Sequence, residues 1–412
     1  MVNALAGAGR FFPQDEYEDR WSRVHAEMEG RGLDTAVVWG RSGGSFDRCG
    51  DVLYLSNFYS TATGHGIDSS MENREVSQFN ARAHNAVIMR QGELPELQAD
   101  EDTPREELMP IPTDRIEWHH NTIKGVADSL NASRVKGRVA LVGSDFLPVK
   151  YWWQLKALTP DIEWVPEDDL VLKLRRIKSP REMDALRESG AIGSRALSLL
   201  MQNLSLGRSE AESAAAAAAE LTRSGGRSHL IAVSHGEFIH YFCQNPLTGY
   251  SQDTPKEGEL VRAWIYGPLC HGYYVDPGRT AVVGRKPTPE QKELIETNAK
   301  YCERLMEAVR PGVKVMEIAQ LGDELMHEFG SGLDQLSEKW PHYGHSLGLF
   351  IETPFFGKSL CSSDDVYEEG WACGVEIFLS KPGVGSSGFE QNFIVHKDHN
   401  EPVTTAPMLW WD

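Results

Sequence analysis

Four side chains in the last third of the chain have the types and setting to hold a divalent cation. They are Asp276 in GYYVDPGRT, His345 in YGHSLGL, Glu376 in ACGVEIF and Glu390 in SSGFEQNFIV. The carboxylates stand in apolar, strand-like text, where a charge is costly unless it is paired or bound to a cation. Gathered together, hard oxygen donors with one imidazole nitrogen suit Mn, Fe, Co or Zn better than Cu(I). Kept apart, each carboxylate needs an arginine or a solvated edge. The neighbouring text is rich in rings: Tyr241, Phe242, Trp264, Tyr266, Tyr273 and Tyr274. Aromatic faces can hold a quaternary ammonium or sulfonium group. Rings on strands serve equally well as core.

The elements that must position these residues follow from period and punctuation. GELVRAWIYG and YYVDPGRTAVVG read as a hairpin, and HLIAVSH, GWACGVEIFLS and SSGFEQNFIVHK as strands. LKLRRIKSPREMDALRESGAIGSRAL begins a long helix, with Ser179 as its cap and Pro180 in its first turn. SEAESAAAAAAELTRS is an alanine-rich helix of high propensity. PEQKELIETNAKYCERLMEAV and VMEIAQLGDELMHEF are helices split by Arg310-Pro311-Gly312. Upstream, DTAVVWG, DVLYLSNF, NAVIMRQGE and RVALVGSDF read as strands, separated by helical text such as Ile123 to Leu130. That alternation describes an α/β domain with a mixed or parallel sheet. Residues 59–84 read as a long functional or mobile loop, and the acidic, proline-broken residues 92–114 as a solvated excursion. The texture changes near Leu172, which divides the chain into domains of residues 1–171 and 172–412.

The bulk properties suit a soluble enzyme. At 412 residues there is room for two cores. A hydrophobic fraction of 41% is ordinary, and no run is long enough to span a membrane. The first residues lack the basic and apolar regions of a secretory signal. A net charge of -19 argues against sequence-independent binding to nucleic acid or anionic lipid. Six scattered cysteines without a CxxC pair read as reduced, mostly buried thiols of a cytoplasmic protein.

Taken in order, GELVRAWIYG, GYYVDPGRT, YGHSLGL, EEGWACGVEIF and GFEQNFIV resemble the creatinase, prolidase and aminopeptidase P superfamily. RRIKSPREMDALRESGAI and RPGVKVMEIAQL are similar to its opening helix and an internal helix turn. The resemblance covers residues 172–400 and, more weakly, the N-terminal domain. It implies an α/β creatinase-like N-terminal domain, an α+β pita-bread catalytic domain and a homodimer. Metallopeptidases of this fold hold a pair of ions with Asp, Asp, His, Glu and Glu. Asp276, His345, Glu376 and Glu390 match the last four, while Trp264 occupies the place of the first Asp. Tyr266 is the nearest other oxygen and a poor ligand while protonated. The implied cofactor is therefore one divalent transition metal.

Other departures bear on the reaction. In FIETP, Glu352 stands where peptidases of the family carry a second His, as a general base or as a surface carboxylate. Creatinases place a catalytic His before an Asn-Pro pair; here the stretch is Gln244-Asn245-Pro246, and His240 lies four residues earlier. Dimethylsulfoniopropionate lyases of the fold use an Asp after the metal His, at the place of Ile351. Arg82 resembles the arginine with which creatinases hold a substrate carboxylate, across to the partner subunit.

The expected function is single-metal hydrolysis of a C–N bond in a small zwitterion or an Xaa-Pro-like amide. Glu352 or His240 would move the proton, and Arg82, Tyr266, Tyr274 and Trp264 would meet the substrate. The alternatives are a lyase acting on an onium carboxylate, a metal-free creatinase-like hydrolase and an inactive binding module.

Overall fold

The computed structural model describes residues 10–41, 50–60, 83–100, 108–119, 121–241, 249–267, 270–329 and 342–411. The chain divides into two units, Met1–Arg175 and Arg176–Asp412.

In the first unit the helices are α1 (Gln14–Gly30), α2 (Gly50–Ser56), α3 (Thr122–Ala132), α4 (Val149–Leu158) and α5 (Asp169–Arg176). The strands are β1 (Thr35–Arg41), β2 (His84–Arg90), β3 (Glu96–Ala99), β4 (Ile116–Trp118), β5 (Gly137–Val142) and β6 (Ile162–Pro166). They form one sheet in the order β4-β3-β2-β1-β5-β6. β1 runs antiparallel to β2 and parallel to β5, so the sheet is mixed. Val37 and Trp39 of β1 and Ile88 of β2 pack against Ile123, Val126 and Leu130 of α3.

Two local expectations fail here. DVLYLSNF is not a strand: its first residues form α2, with Val52 and Leu55 buried and the Ser56 hydroxyl donating to the Val52 carbonyl. A short apolar run does not by itself distinguish the two periods. The acidic stretch around Glu96 is not wholly solvated, because β3 joins the sheet beside β2. Arg90 Nη1 lies 2.9 Å from Glu96 Oε2, which lets this charged segment pair at the strand's start. The change of texture near Leu172 falls inside α5, a separate helix from the one that follows.

The second unit opens with α6 (Pro180–Ser205) and α7 (Glu210–Arg223), and α8 (Pro289–Ala308) and α9 (Val315–Glu328) come later. Ser179 caps α6 in a reciprocal box with Glu182, and Ser209 caps α7 with Glu212. The strands are β7 (Leu230–His235), β8 (Leu260–Tyr266), β9 (Gly278–Val282), β10 (Gly344–Leu347), β11 (Ile351–Phe355), β12 (Ala372–Lys381), β13 (Gly385–Val395) and β14 (Asn400–Pro402). Their order is β11-β10-β12-β13-β9-β8-β7, with β14 on β13. No helix of the described residues is long and apolar enough to cross a membrane.

Period two in β12 and β13 separates core from site. Cys373, Val375, Ile377 and Leu379 of β12 and Phe389, Phe393 and Val395 of β13 join the core under α8 and α9. The residues between them, Gly374, Glu376, Gly388, Glu390 and Asn392, face the other way.

Candidate metal centre

Register lines up the site across four strands. Trp264 of β8 pairs with Gly278 of β9, Gly278 with Glu390 of β13, and Glu390 with Glu376 of β12. In the neighbouring row, Gly374 pairs with His345 of β10 on one side and with Asn392 on the other. Asp276 is not in a strand; it lies in the extended segment that leads into β9. Its N–H donates to Asn392 Oδ1 (3.0 Å), and Asn392 Nδ2 donates to Asp276 Oδ1 (2.9 Å) and Glu390 Oε1 (3.3 Å). Asn392 thus holds both carboxylates in place.

Ligand-type atoms of Asp276, His345 and Glu390 lie within 4.8 Å of one another, and all three residues are buried. His345 Nε2 is 3.3 Å from Asp276 Oδ2 and 3.6 Å from Glu390 Oε1. His345 Nδ1 is 3.2 Å from the Ser346 carbonyl, which can only accept, so Nδ1 carries the hydrogen. Nε2 then turns its lone pair toward two carboxylates. Asp276 Oδ2 is buried and receives no hydrogen bond among the described residues. Gly374 keeps the space open: a Cβ there would lie 2.8 Å from Glu390 Oε1 and 2.9 Å from Asn392 Nδ2.

Without a cation such a cluster must take up protons. Burial alone would lower the pKa of His345, but Asp276 and then Glu376 overrule it and raise it. Burial would raise that of Asp276, and His345 brings it down. Glu390 is pushed well above the usual carboxylate range by burial, then by Asp276 and Glu376. A bound divalent ion would take the place of those protons, its double positive charge shared among the acceptors. The donor set fits the implied metal.

Glu376 stands beside the trio, opposite Glu390. Its Oε1 lies 3.1 Å from Nδ1 of His342, a residue that the sequence reading missed. Burial first, and then His345, pull the His342 imidazole down to about 3, so it is neutral at ordinary pH. His342, three residues before His345, and Asn392, two after Glu390, carry only that spacing as a signal.

Trp264 is wholly buried, and its indole N–H donates to Glu390 Oε2 at 2.9 Å. It packs on Phe378 (5.4 Å between ring centroids, 30° between planes) and over two glycines. A Cβ on Gly278 would come 2.0 Å from its ring, and one on Gly388 2.6 Å. Trp264 thus holds Glu390 Oε2 and has no face exposed to solvent. Tyr266 and Tyr274 adjoin the carboxylates, with ring centroids 6.5 Å apart. Burial first raises both phenols well above their usual range, aided by Glu390 for Tyr266 and Asp276 for Tyr274, so both stay neutral donors. The Tyr274 hydroxyl is buried and has no partner among the described residues. Tyr273 instead donates to Glu182 Oε1 (2.6 Å), and Tyr241 is 56% exposed.

Glu352 is buried, but its carboxylate accepts from Lys178 Nζ (3.1 Å) and Leu349 N–H (3.2 Å). It ties the entry to α6 to the turn after β10. Lys178→Met should strand the Glu352 charge and cost about 3–5 kcal/mol in denaturant unfolding. Adding Glu352→Gln to that variant should return most of the loss. A Lys178→Met protein as stable as the parent would show that the pair carries no structural weight. His240 borders an open cavity of about 370 Å³ lined by Glu237, Ile239, Glu259, Gln291 and Gly385 among others, and by none of the four ligand candidates. Arg82, Phe242 and the Gln244-Asn245-Pro246 stretch lie outside the described residues.

A curled antiparallel sheet with inward carboxylates and an imidazole, covered by helices and preceded by an α/β unit, is the pita-bread architecture. Comparison with known proteins agrees. The family model described as metallopeptidase family M24 matches residues 184–397, and the chain belongs to that family. It is 30% identical over 241 residues to a protein of Mycobacterium bovis named probable dipeptidase PepE, covering 58% of this chain and 61% of that one. The chain thus spans about three-fifths of the length of the curated relatives that it first matches. Among solved structures, an Xaa-Pro dipeptidase from Bacillus anthracis superposes with a TM-score of 0.73 at 22% identity, over 95% of this chain and 98% of the other. An X-Pro aminopeptidase from Thermotoga maritima gives 0.74 at 17% identity, over 95% and 99%. Both show the same two-domain fold.

Proposed function

We propose that the chain is a single-metal hydrolase of a dipeptide-type amide, with Asp276, His345 and Glu390 holding the ion and Glu376 beside it. One observation carries this reading: with Nδ1 directed at the Ser346 carbonyl, His345 Nε2 converges with Asp276 Oδ2 and Glu390 Oε1, and a cation there would take the place of the protons that the three otherwise share. The dipeptidase names of the relatives direct the choice among amides, and they favour a peptide over the onium carboxylate of a lyase.

A divalent ion bound here supplies a Lewis acid for the amide carbonyl and lowers the pKa of a water. The rest falls to the chain. Asn392 and Trp264 hold Asp276 and Glu390 in fixed rotamers, so the ion site is preorganised. Because the Trp264 indole donates to Glu390 Oε2, this carboxylate would offer Oε1 to a cation. The neutral Tyr274 phenol can donate to a substrate oxygen, which would satisfy its own orphaned hydroxyl. Phe350, 5.8 Å from Tyr274 between ring centroids, helps to exclude water from that donor. Glu352, bound to Lys178, positions the turn that carries Phe350 in this reading.

Metal analysis with chelation tests it. The purified chain should carry one equivalent of a divalent transition metal at the Asp276 centre, the equivalent that His345→Ala loses. Removing the ion should abolish release of free amino acids from Xaa-Pro dipeptides, and Mn²⁺, Co²⁺ or Zn²⁺ should restore it. A chelated protein that hydrolyses at the untreated rate, or a metal-loaded one that cleaves no dipeptide, counts against the reading.

A further inference from the structure

A second group of ligand-type side chains shares no residue with the Asp276 centre. Glu188, Cys270 and His271 bring a carboxylate oxygen, a thiol sulfur and an imidazole nitrogen within 4.8 Å of one another. Local sequence explains how. Cys270 and Tyr273 pair across an isolated antiparallel bridge, and Tyr273 N–H donates to the Cys270 carbonyl at 2.8 Å. The two residues between them, His271 and Gly272, have φ of 52° and 83°. That is a tight primed turn, whose first central place favours Asn, Asp or Gly. A histidine there accepts a left-handed backbone that few non-glycine residues adopt.

Helix α6 holds the turn on both sides of Glu188. The Ser189 hydroxyl lies 3.3 Å from the Cys270 carbonyl and 3.1 Å from the Tyr273 carbonyl, and the Tyr273 hydroxyl donates to Glu182. His271 Nε2 then lies 3.1 Å from Glu188 Oε2. Tetrahedral zinc with nitrogen and oxygen ligands near 2.0 Å sets those atoms about 3.3 Å apart, near the 3.1 Å of this pair, and the sulfur lies within 4.8 Å of both. The Glu188 side chain is 35% exposed and that of His271 12%, which leaves a side for an ion and a water to enter.

We propose that Glu188, Cys270 and His271 form a second site for a thiophilic divalent ion, zinc or cobalt, completed by water. Mixed thiolate, imidazole and carboxylate ligation selects these ions over magnesium or calcium. Burial, aided by Glu188, pushes the Cys270 thiol up to about 12, so it is protonated when no metal is bound. Binding exchanges that proton for the metal–sulfur bond and releases it to solvent. The ion would staple α6 to the turn six residues before Asp276, the segment that also carries Tyr274.

The test is cobalt titration of the full chain after chelation, followed by thiolate-to-cobalt charge-transfer absorption. That band reports sulfur ligation, and the Asp276 centre contains no sulfur. The wild type should develop the band to an endpoint of one thiolate-bound cobalt. His345→Ala should keep it, Cys270→Ser should abolish it, and His271→Ala should raise the apparent Kd at least tenfold. Circular dichroism of Cys270→Ser, a near-isosteric change, establishes that the fold is retained. A wild type with no band, or a band that survives Cys270→Ser, overturns the proposal without touching the Asp276 centre.

Discussion

His345→Ala should leave the purified protein without its one equivalent of divalent ion at the Asp276 centre and should nearly abolish dipeptide hydrolysis. The imidazole is the sole nitrogen of the converging trio, and Asp276 Oδ2 has no hydrogen-bond donor to fall back on. Carbonyl polarisation and water activation by a bound metal contribute several kcal/mol, so turnover should fall by on the order of 10³ or more. The fold should persist, because β10 remains bonded to β11 and β12 through its backbone. The measurement is metal content by mass spectrometry beside kcat/KM and a thermal melt. A His345→Ala protein that keeps both its ion and its turnover would put the ion elsewhere and sink the reading.

Gly278→Ala should damage stability and site together. The added Cβ would meet Trp264 Cε2 at 2.0 Å and Nε1 at 2.1 Å. The ring cannot easily recede, since Gly388 and Phe378 pack against it. Overpacking a rigid core costs about 1–3 kcal/mol and sometimes more, and the upper end is expected here. At about 2–4 °C per kcal/mol for a unit of this size, the melting temperature should drop by about 6–12 °C. Displacing the indole also takes its N–H from Glu390 Oε2, so the metal should bind more weakly. Gly249→Ala, with nothing within 4 Å of its Cβ, is the control and should change stability by less than about 0.5 kcal/mol. Trp264→Phe combined with Gly278→Ala should recover part of the stability, because the smaller ring makes room; the two changes are in contact and should not add. A Gly278→Ala protein with unchanged melting and metal affinity would mean that the indole does not sit as described.

The cap on α6, the split between α8 and α9 at Gly312, and the strands β8, β9, β12 and β13 were legible in the text. Each is written locally, in a hydroxyl followed by Glu three residues on, in a glycine, or in alternation. Asp276, His345, Glu376 and Glu390 stood out as candidates for a related reason: carboxylates inside apolar strand text, with a histidine beside a Gly-flanked turn, need an explanation wherever the strands go. What these residues touch was not legible. That Glu376 stands opposite Glu390, that Gly278 lies between Glu390 and Trp264, and that Asn392 reaches two carboxylates all depend on the register between strands, which no single segment encodes. The pairing of Glu352 with Lys178, 174 residues away, is likewise a product of packing. Local sequence determined which side chains this protein has available for chemistry. Only the folded sheet decided which of them meet, because contacts between distant strands are set by global burial rather than by any neighbour along the chain.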